Sequence, residues 1–408
     1  MKQEREFFAL TITNKGAEQL RRGHVWVYET EILTKERPKN GSVCDVFDPR
    51  GRYLGSGLYS EKSKIALRIL TTNANDKCDE AFFSRRIAYA LAYRKQVMGE
   101  YFSSSCRLIF GEADGLPGLT VDRFGDLLVT EVLSFGMEER KEMIYRQLFE
   151  ILEEMGAPAR AIYERNEDPI REKEGLSRYK GFYHGLGNPP ESPVTKMCEN
   201  GVHYLVDVEN GQKTGFFLDQ KFNRLAVANY AKGRRVLDCF SHTGSFGLNA
   251  ALGGAEHVTC ADISQTAMDM AAANAKNNGL SHKMDFICED AFTLLPRLLQ
   301  EKKNEYDFII LDPPAFTKSA ATGNAAYGGY LEINRRAMQL LPRGGYLATC
   351  SCSHFMPAWR FEDMLKDAAA QAKVSLRQIE QRQQACDHPI LWNVPETSYL
   401  KFYLFQVV

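Results

Sequence analysis

Two cysteines, Cys350 and Cys352, stand in the segment LATCSCSHF, which follows the segment LDPPAF. Side chains two positions apart on a β-strand point to the same face, so both thiols can face one pocket. A thiolate is a strong nucleophile that can add to an electron-poor ring, and a lowered pKa makes it reactive. Buried cysteines that only fill space are the common alternative. The position of the pair at a strand end beside Asp312 favours the catalytic interpretation.

Four acidic residues follow successive apolar strands of the same region. The strands end in VLD, CAD, CED and ILD, and the acids are Asp238, Asp262, Asp290 and Asp312. In an open α/β sheet, ligands bind beyond the carboxyl ends of the strands. Asp262 and Asp290 could instead cap the helices that follow them. Four acids at equivalent positions nevertheless predict a ligand site, and the two prolines after Asp312 are expected to leave carbonyls facing it.

The loop after the first of these strands reads CFSHTGSFG. Gly244 and Gly247 allow a tight turn close to a ligand before a helix begins. The spacing is not GxGxxG and no P-loop lysine follows, so a phosphate-binding loop is the weaker interpretation. Asp262, roughly 20 residues further on, is placed to accept hydrogen bonds from both hydroxyls of a ribose.

These segments resemble the class I S-adenosylmethionine-dependent methyltransferases, and they are similar to the bacterial ribosomal RNA large-subunit methyltransferase I family of cytosine-5 methyltransferases. The preceding segment NGQKTGFFLDQKFNR, residues 210–224, resembles that family's GQKTGFFLDQR-N-R block, with Lys221 where arginine is usual. The resemblance implies S-adenosylmethionine as cofactor, with a pocket bordered by Thr214, Gly215, Phe216 and Phe217. A buried β-bulge filled by aromatic side chains is the alternative for this GFF segment.

The resemblance also assigns roles to the residues after the strands. It implies that Asp238 and Gly244 line the methionine side of the pocket, that Asp262 holds the ribose, and that Asp290 contacts the adenine edge. Cys352 falls where related RNA pyrimidine methyltransferases keep their nucleophile, which favours it over Cys350.

The implied reaction is the formation of 5-methylcytosine in 23S ribosomal RNA. Carbon 5 of cytosine reacts with a methyl donor only after a nucleophile has added to carbon 6, and Cys352 would be that nucleophile. Asp312 is the candidate for the polar edge of the cytosine, and it would be protonated if a dry pocket raises its pKa. His354 and a bound water are both candidates for the final base. Two alternatives stay open: a purine methyltransferase such as a guanine N7 enzyme, which needs no cysteine, and a noncatalytic RNA-binding assembly factor.

Three segments are predicted to position these residues. Residues 1–75 alternate apolar and polar side chains between turns, as a small β-barrel does, and resemble a PUA-type RNA-binding domain. Residues 76–192 predict a central α+β domain with a helix from about Asp79 to Val97, and both Asp114 and Asp122 are expected in turns. Residues 193–408 predict a Rossmann-like methyltransferase domain, so the fold class is α/β.

A basic and aromatic group in the first segment is a candidate RNA contact. Arg21 and Arg22 could hold phosphates while Trp26 stacks on a base. The alternative is a solvated turn beside a tryptophan of the core.

Composition predicts a multidomain cytoplasmic enzyme. The 408 residues carry a net charge of −1, so RNA binding must depend on local charge. The ten cysteines show no zinc-binding spacing, so no metal is expected. The segment MKQEREFFAL is not a signal peptide, and no apolar run has membrane length, so we expect a cytoplasmic protein with reduced thiols. Ribosomal RNA is the predicted partner, a membrane is not, and a homodimer is left open.

Overall fold

The computed structural model describes residues 6–301, 305–316 and 323–408. This part of the chain divides into two compact units. The first runs through Met197 and also contains Val206–Leu218 and Cys386–Thr397, and the second contains Cys198–Leu205, Asp219–Ala385 and Ser398–Val408. The first five residues lie outside the described residues, so the prediction that MKQEREFFAL holds no signal peptide stays a prediction.

A five-stranded sheet forms the amino-terminal part of the first unit. Its elements are β1 (Phe8–Thr11), α1 (Asn14–Arg21), β2 (Trp26–Tyr28), β3 (Val43–Phe47), β4 (Tyr53–Tyr59) and β5 (Ile65–Thr71). The strand order is β1-β3-β4-β5-β2, with β1 parallel to β3 and the other pairs antiparallel. Inward-facing apolar residues of these strands, including Leu10, Val46 and Leu67, form one buried core.

A second five-stranded sheet lies in the same unit. Its elements are α2 (Glu80–Met98), β6 (Ser105–Phe110), β7 (Leu119–Phe124), β8 (Leu127–Val132), α3 (Phe135–Glu138), α4 (Lys141–Glu154), β9 (Ala161–Asn166), α5 (Ile170–Lys173) and β10 (Tyr179–Phe182). The strand order is β10-β9-β8-β7-β6. Helix α2 begins where the sequence predicts, because the Asp79 carboxylate accepts the Phe82 N–H at 3.0 Å and caps it.

Asp122 does not lie in a turn, so that expectation was wrong. It lies within β7 and is completely buried. The Arg107 guanidinium donates to both of its oxygens, at 2.7 and 2.6 Å. This paired geometry satisfies the carboxylate inside the sheet, where an unpaired acid would be costly.

The remaining elements begin with a two-stranded hairpin and continue into a seven-stranded sheet. They are β11 (Val194–Glu199), β12 (Val202–Asp207), α6 (Lys221–Tyr230), β13 (Arg235–Cys239), α7 (Ser245–Leu252), β14 (His257–Asp262), α8 (Gln265–Asn277), β15 (Met284–Cys288), α9 (Ala291–Gln300), β16 (Phe308–Leu311), α10 (Gly323–Leu340), β17 (Tyr346–Ser351), α11 (Ala358–Ala372), β18 (Leu376–Arg382) and β19 (Lys401–Val407).

The seven-stranded sheet has the order β15-β14-β13-β16-β17-β19-β18. Strands β13 to β17 are parallel, and β19 is antiparallel to both of its neighbours. The central strands are buried apolar runs, as expected for a parallel sheet that is covered on both faces. Strand order reverses between β13 and β16, which is where open α/β sheets form a ligand crevice.

The sheets follow one another along the chain at residues 8–71, 105–182 and 235–407. The division at residues 75 and 192 stays a proposal, because the later segments Val206–Leu218 and Cys386–Thr397 pack with the first unit. Within the described ranges, no helix has both the length and the apolar character needed to cross a membrane.

Candidate active site at the carboxyl ends of the parallel strands

The carboxyl ends of β14, β13, β16 and β17 meet at one edge of the seven-stranded sheet, because these strands pair in parallel register. The second unit therefore brings together, at this edge, seven of the predicted residues: Asp238, Gly244, Asp262, Asp290, Asp312, Cys350 and Cys352. We call this group the strand-end site.

The loop after β13 has an unusual backbone. Phe240 and His242 have φ angles of 62° and 50°, and Gly244 has a φ of 77°. Left-handed φ angles are unfavourable for residues other than glycine and persist only where the surroundings hold them. The Asp262 carboxylate contributes to this, since it accepts the His242 N–H at 2.9 Å. The loop is thus fixed in a shape that the sequence alone did not reveal.

Gly247 has a different role from the one expected. It lies inside α7, and a Cβ on it would overlap the Cys260 sulfur of the neighbouring strand. Its missing side chain therefore permits close packing of α7 against β14. Because Gly247 lies inside the helix, the expectation that it belongs to the tight turn before the helix was wrong, whereas its approach to a ligand stays a prediction.

Asp238 has one unsatisfied oxygen. The residue is completely buried, and its Oδ2 accepts the Gly247 N–H at 2.8 Å. Its Oδ1 is buried and has no hydrogen-bond partner among the described residues, and the same holds for Thr243 Oγ1. Burial raises the pKa of Asp238 well above its ordinary value. Orphaned polar atoms of this kind normally have a ligand or water partner, so they fit a polar cofactor beside the loop.

Asp262 and Asp290 differ in their local bonds. Ser264, not Asp262, caps α8, and Asp262 Oδ1 accepts the Ser264 N–H at 3.0 Å. Asp290 does cap α9, since it accepts the Phe292 N–H at 2.9 Å. The capping alternative for Asp290 is therefore present in the structure. Each carboxylate keeps further acceptor positions, so the ribose and adenine roles stay predictions.

Two apolar side chains next to these acids were not predicted. Ile263 is 73% exposed and Phe292 is 41% exposed. Exposed apolar side chains beside acids that are candidates for a ligand site are themselves candidates to pack against a flat ring. The sequence signal was weak, because a single apolar residue after an acid also fits an ordinary helix start.

Asp312 lies in a polar cluster. Gln220 Nε2 donates to its Oδ1 at 2.9 Å, and the Cys350 thiol is also hydrogen-bonded to it. Burial raises the pKa of Asp312 to about 7, and the nearby negative charge of Asp219 adds to this rise. Asp312 keeps some accessible surface, yet protein atoms surround it closely enough for desolvation to dominate. Gln220 was not singled out from the sequence.

The two cysteines have different environments. Cys350 is completely buried in β17, and burial raises the pKa of its thiol well above the ordinary value. Cys352 follows the end of β17 at Ser351 and is partly exposed. Lys401, a buried residue of β19, lies close enough to interact electrostatically with Cys352. Cys352 is therefore the more accessible of the two candidate nucleophiles.

The residues of the GFF segment lie in the first unit. The Thr214 hydroxyl donates to Asp122 Oδ2 at 2.6 Å. Gly215 has a φ of 127°, which favours glycine, and Phe216 is buried while Phe217 is partly exposed. Their role at a cofactor pocket stays a prediction.

The basic group of the first unit has specific partners. Arg21 forms an ion pair with the buried Asp48, whereas Arg22 is 78% exposed and pairs with Glu18 at 3.1 Å. The Trp26 indole N–H donates to Glu112 at 3.0 Å. Arg22 is thus the more accessible arginine.

Among the side chains that the structure describes, no cluster of three or more His, Cys, Asp or Glu residues could hold a metal ion.

Two family models match the chain. Residues 177–406 match the S-adenosylmethionine-dependent methyltransferase model, and residues 10–72 match a PUA-like domain.

The similarity to known proteins extends over nearly the full length of the chain. The chain is 43% identical to the ribosomal RNA large subunit methyltransferase I of Aeromonas salmonicida, covering 95% of this chain and 96% of that protein. It is 40% identical, with the same coverage, to the protein of that name from Alteromonas mediterranea. Among solved structures, an S-adenosylmethionine-dependent methyltransferase from Streptococcus mutans has a TM-score of 0.82 at 20% identity, covering 98% of this chain and 100% of that one. A methyltransferase crystallised with S-adenosylhomocysteine has a TM-score of 0.84 at 20% identity, with the same coverage. These two structures are similar in fold.

Proposed function

Because the chain belongs to the ribosomal RNA large subunit methyltransferase I family of S-adenosylmethionine-dependent methyltransferases, we propose that it methylates carbon 5 of a cytosine through a covalent adduct of Cys352. The predicted PUA-like domain, the Rossmann-like domain and the S-adenosylmethionine cofactor are confirmed by this membership. Large-subunit ribosomal RNA is accordingly the substrate. The choice of base, the adduct and the roles of individual residues are the proposal, and so is a cytoplasmic location.

The residues of the strand-end site fit the cofactor. The unsatisfied Oδ1 of Asp238 and the fixed loop after β13 suit the polar methionine end. Asp262 is assigned to the ribose and Asp290 to the adenine edge, with Ile263 and Phe292 available for the faces of the ring. When bound, S-adenosylmethionine supplies a methyl group on a positively charged sulfur.

Cys352 and Asp312 would act on the base. The sulfur of Cys352 would donate an electron pair to carbon 6 and form the C6–S bond, while the C5=C6 π electrons move into the C4–C5 bond and the C4=N3 pair moves onto N3, which makes carbon 5 electron-rich. Carbon 5 would then take the methyl group, with S-adenosylhomocysteine as the leaving group, and a base would remove the carbon 5 proton. The electrons of that C–H bond restore the double bond, and the C6–S electrons return to sulfur. Asp312, with a pKa of about 7, keeps a substantial protonated fraction near neutral pH and could then donate to the ring nitrogen.

The observation that carries this proposal is the partly exposed Cys352 thiol at the edge where the parallel strands end, close to the buried cation of Lys401. A guanine N7 methyltransferase needs no nucleophilic thiol, since the ring nitrogen already has a lone pair. The placement of Cys352 therefore favours the cytosine reaction over the purine reaction.

RNA containing 5-fluorocytosine tests the adduct. Fluorine at carbon 5 cannot leave as a proton does, so wild-type enzyme with S-adenosylmethionine should form a covalent complex that survives denaturing electrophoresis. Cys352→Ala should form no complex and should lose methyl transfer by at least about a thousandfold while still binding the cofactor. Cys350→Ala should keep measurable turnover.

Cys198→Ala is the matched control, because Cys198 is also partly exposed but lies in β11. It should trap RNA as wild type does. Methylation of cytosine by Cys352→Ala would exclude Cys352 as the nucleophile, and methylation of guanine by the wild type would exclude the proposed reaction class.

A further inference from the structure

Strand β19 carries a lysine into the strand-end site. Its antiparallel pairing with β17 places Lys401 opposite Ser351, the residue before Cys352. The Lys401 side chain is buried, and its Nζ donates to the Ser353 carbonyl and to the Tyr399 carbonyl, each at 2.7 Å. Lys401 therefore pairs with Ser351 in the sheet and donates a hydrogen bond to Ser353, and these are the two residues on either side of Cys352.

The burial of this lysine requires an explanation. Lysine is almost never fully buried unless a charged partner compensates the lost hydration. The two carbonyl bonds use two of its three donors and offer no full negative charge. Among the described side chains, the group whose negative charge favours protonated Lys401 is Cys352. Such an interaction is mutual, so the ammonium group favours the thiolate form of Cys352 equally.

We propose that Lys401 is a positioning residue that keeps Cys352 in its thiolate form. The inference rests on the proposed function, in which the thiolate attacks carbon 6. It adds that the same cation stabilises the sulfur when the C6–S bond breaks and the electron pair returns to it. A protonated lysine thus supports both the attack and the elimination, and it gives up no proton in either step.

Other ionisable groups around the thiol set the pH range of this effect. Tyr330 on α10 and Cys350 in β17 interact electrostatically with Cys352. Asp312 is hydrogen-bonded to Cys350, and Tyr399, which contacts the His354 ring, donates to Asp219. Burial raises the pKa values of Tyr330 and Cys350, so both stay uncharged near neutral pH. Asp312 becomes negative above about pH 7 and opposes the thiolate. Burial lowers the pKa of Lys401 to about 8, so its support for the thiolate is present below that pH and declines above it.

Three substitutions of Lys401 separate charge from hydrogen bonding. Lys401→Gln keeps donors for the carbonyls without a charge, Lys401→Arg keeps the charge, and Lys401→Met keeps neither. The measurement is the rate at which iodoacetamide alkylates Cys352 between pH 6 and pH 9, without RNA, located by fragment-ion mass spectrometry. Lys366→Gln is the control, because Lys366 is an exposed lysine of α11.

We expect Lys401→Gln and Lys401→Met to slow alkylation at pH 7 by about tenfold and to move the profile to higher pH by about one unit. Lys401→Arg should stay within about threefold of wild type, and Lys366→Gln should match it. An unchanged profile in Lys401→Gln would overturn the proposal and leave Lys401 with a purely structural role.

A second measurement covers the case in which the neutral variants do not fold. NMR titration of the Lys401 ammonium should give a lower pKa in Cys352→Ala than in wild type, because a compensating negative charge is lost; an equal pKa would overturn the proposal. Neither readout involves methyl transfer. If Cys352→Ala still methylates cytosine, the proposed nucleophile fails, while the alkylation profile still decides whether Lys401 acts on the thiol.

Discussion

Cys350 and Cys352 are two positions apart in the chain, yet their thiols differ in burial and therefore in reactivity. The sequence predicted both thiols at one strand end. The structure shows that Cys350 is completely buried in β17, whereas Cys352 lies beyond the strand and is partly exposed. A buried thiol with a raised pKa forms little thiolate near neutral pH. Cys350 therefore suits a supporting hydrogen bond to Asp312, and Cys352 suits attack on a substrate.

Asp262 gives a residue-level prediction for cofactor binding. We expect Asp262→Ala to weaken S-adenosylmethionine binding by roughly 1.5–3 kcal/mol, since a charged acceptor for the ribose hydroxyls is lost. The change also removes the acceptor of the His242 N–H, so the loop after β13 should loosen in the same direction. Isothermal titration calorimetry measures the affinity.

Asp285→Ala serves as the control for Asp262→Ala. Asp285 is an exposed acid of β15 that pairs with His257 at 2.8 Å, near the opposite ends of the strands. Its loss should leave cofactor affinity unchanged. Equal affinity in folded Asp262→Ala and wild type would remove Asp262 from the cofactor site.

Two of the residues that the sequence did not reveal are joined to the site by long-range pairing. Gln220 reaches Asp312 across 92 positions, and Lys401 reaches the Ser353 carbonyl across 48. No local sequence pattern indicates either contact, because each contact depends on which distant segments become neighbours in the fold. The acids at strand ends could be predicted because each follows its own apolar run.

At the scale of elements, the parallel strands could be predicted from the sequence, whereas the order of the strands at the β18 edge of the sheet could not. Apolar runs ending in an acid marked β13, β14 and β16, and the structure places them as neighbours. No sequence pattern indicated that β19 would separate β17 from β18, since an antiparallel strand at this place has the same apolar composition.

Helix α7 offers an element-level prediction. Gly247→Ala should destabilise the second unit by about 1–3 kcal/mol, because the new Cβ would overlap the Cys260 sulfur and lie 3.1 Å from Val258 Cγ1. Chemical denaturation, followed by circular dichroism, measures the change. Adding Cys260→Ala should recover part of the loss.

Gly328→Ala is the matched control for this change. Gly328 lies in α10, and a Cβ added there would meet open space among the described residues, with no atom beyond its own helix backbone within 4 Å. Alanine should therefore be neutral or stabilising by up to about 1 kcal/mol. Equal stability of Gly247→Ala and wild type would show that α7 can move away from β14 at no cost.

At the scale of the whole molecule, a net charge of −1 means that attraction to RNA must come from local groups. The predicted basic group is one of these, and its two arginines differ. Arg21 is engaged by a buried carboxylate, whereas Arg22 is largely exposed. Arg21, Arg22 and Trp26 remain predicted RNA contacts, and a homodimer stays an open alternative.

Arg22→Ala tests the contribution of this group. If Arg22 contacts a phosphate, the variant should bind ribosomal RNA more weakly and the slope of log affinity against log salt should fall by about 0.7–0.9. Filter binding at several salt concentrations gives the slope. Lys366→Ala, which removes an exposed cation from α11, should leave the slope as in wild type, and an unchanged slope in Arg22→Ala would identify Arg22 as part of a solvated turn.

The position of Lys401 in β19 also affects the order of events during synthesis. A ribosome adds Lys401 48 positions after Ser353, which takes roughly 2–10 s at ordinary elongation rates. During that interval Cys352 lacks the cation that we assign to its activation, and β17 lacks the partner strand β19. The Cys352 thiol of the nascent chain would therefore have ordinary, lower reactivity, and it would become a strong nucleophile only when β19 pairs with β17.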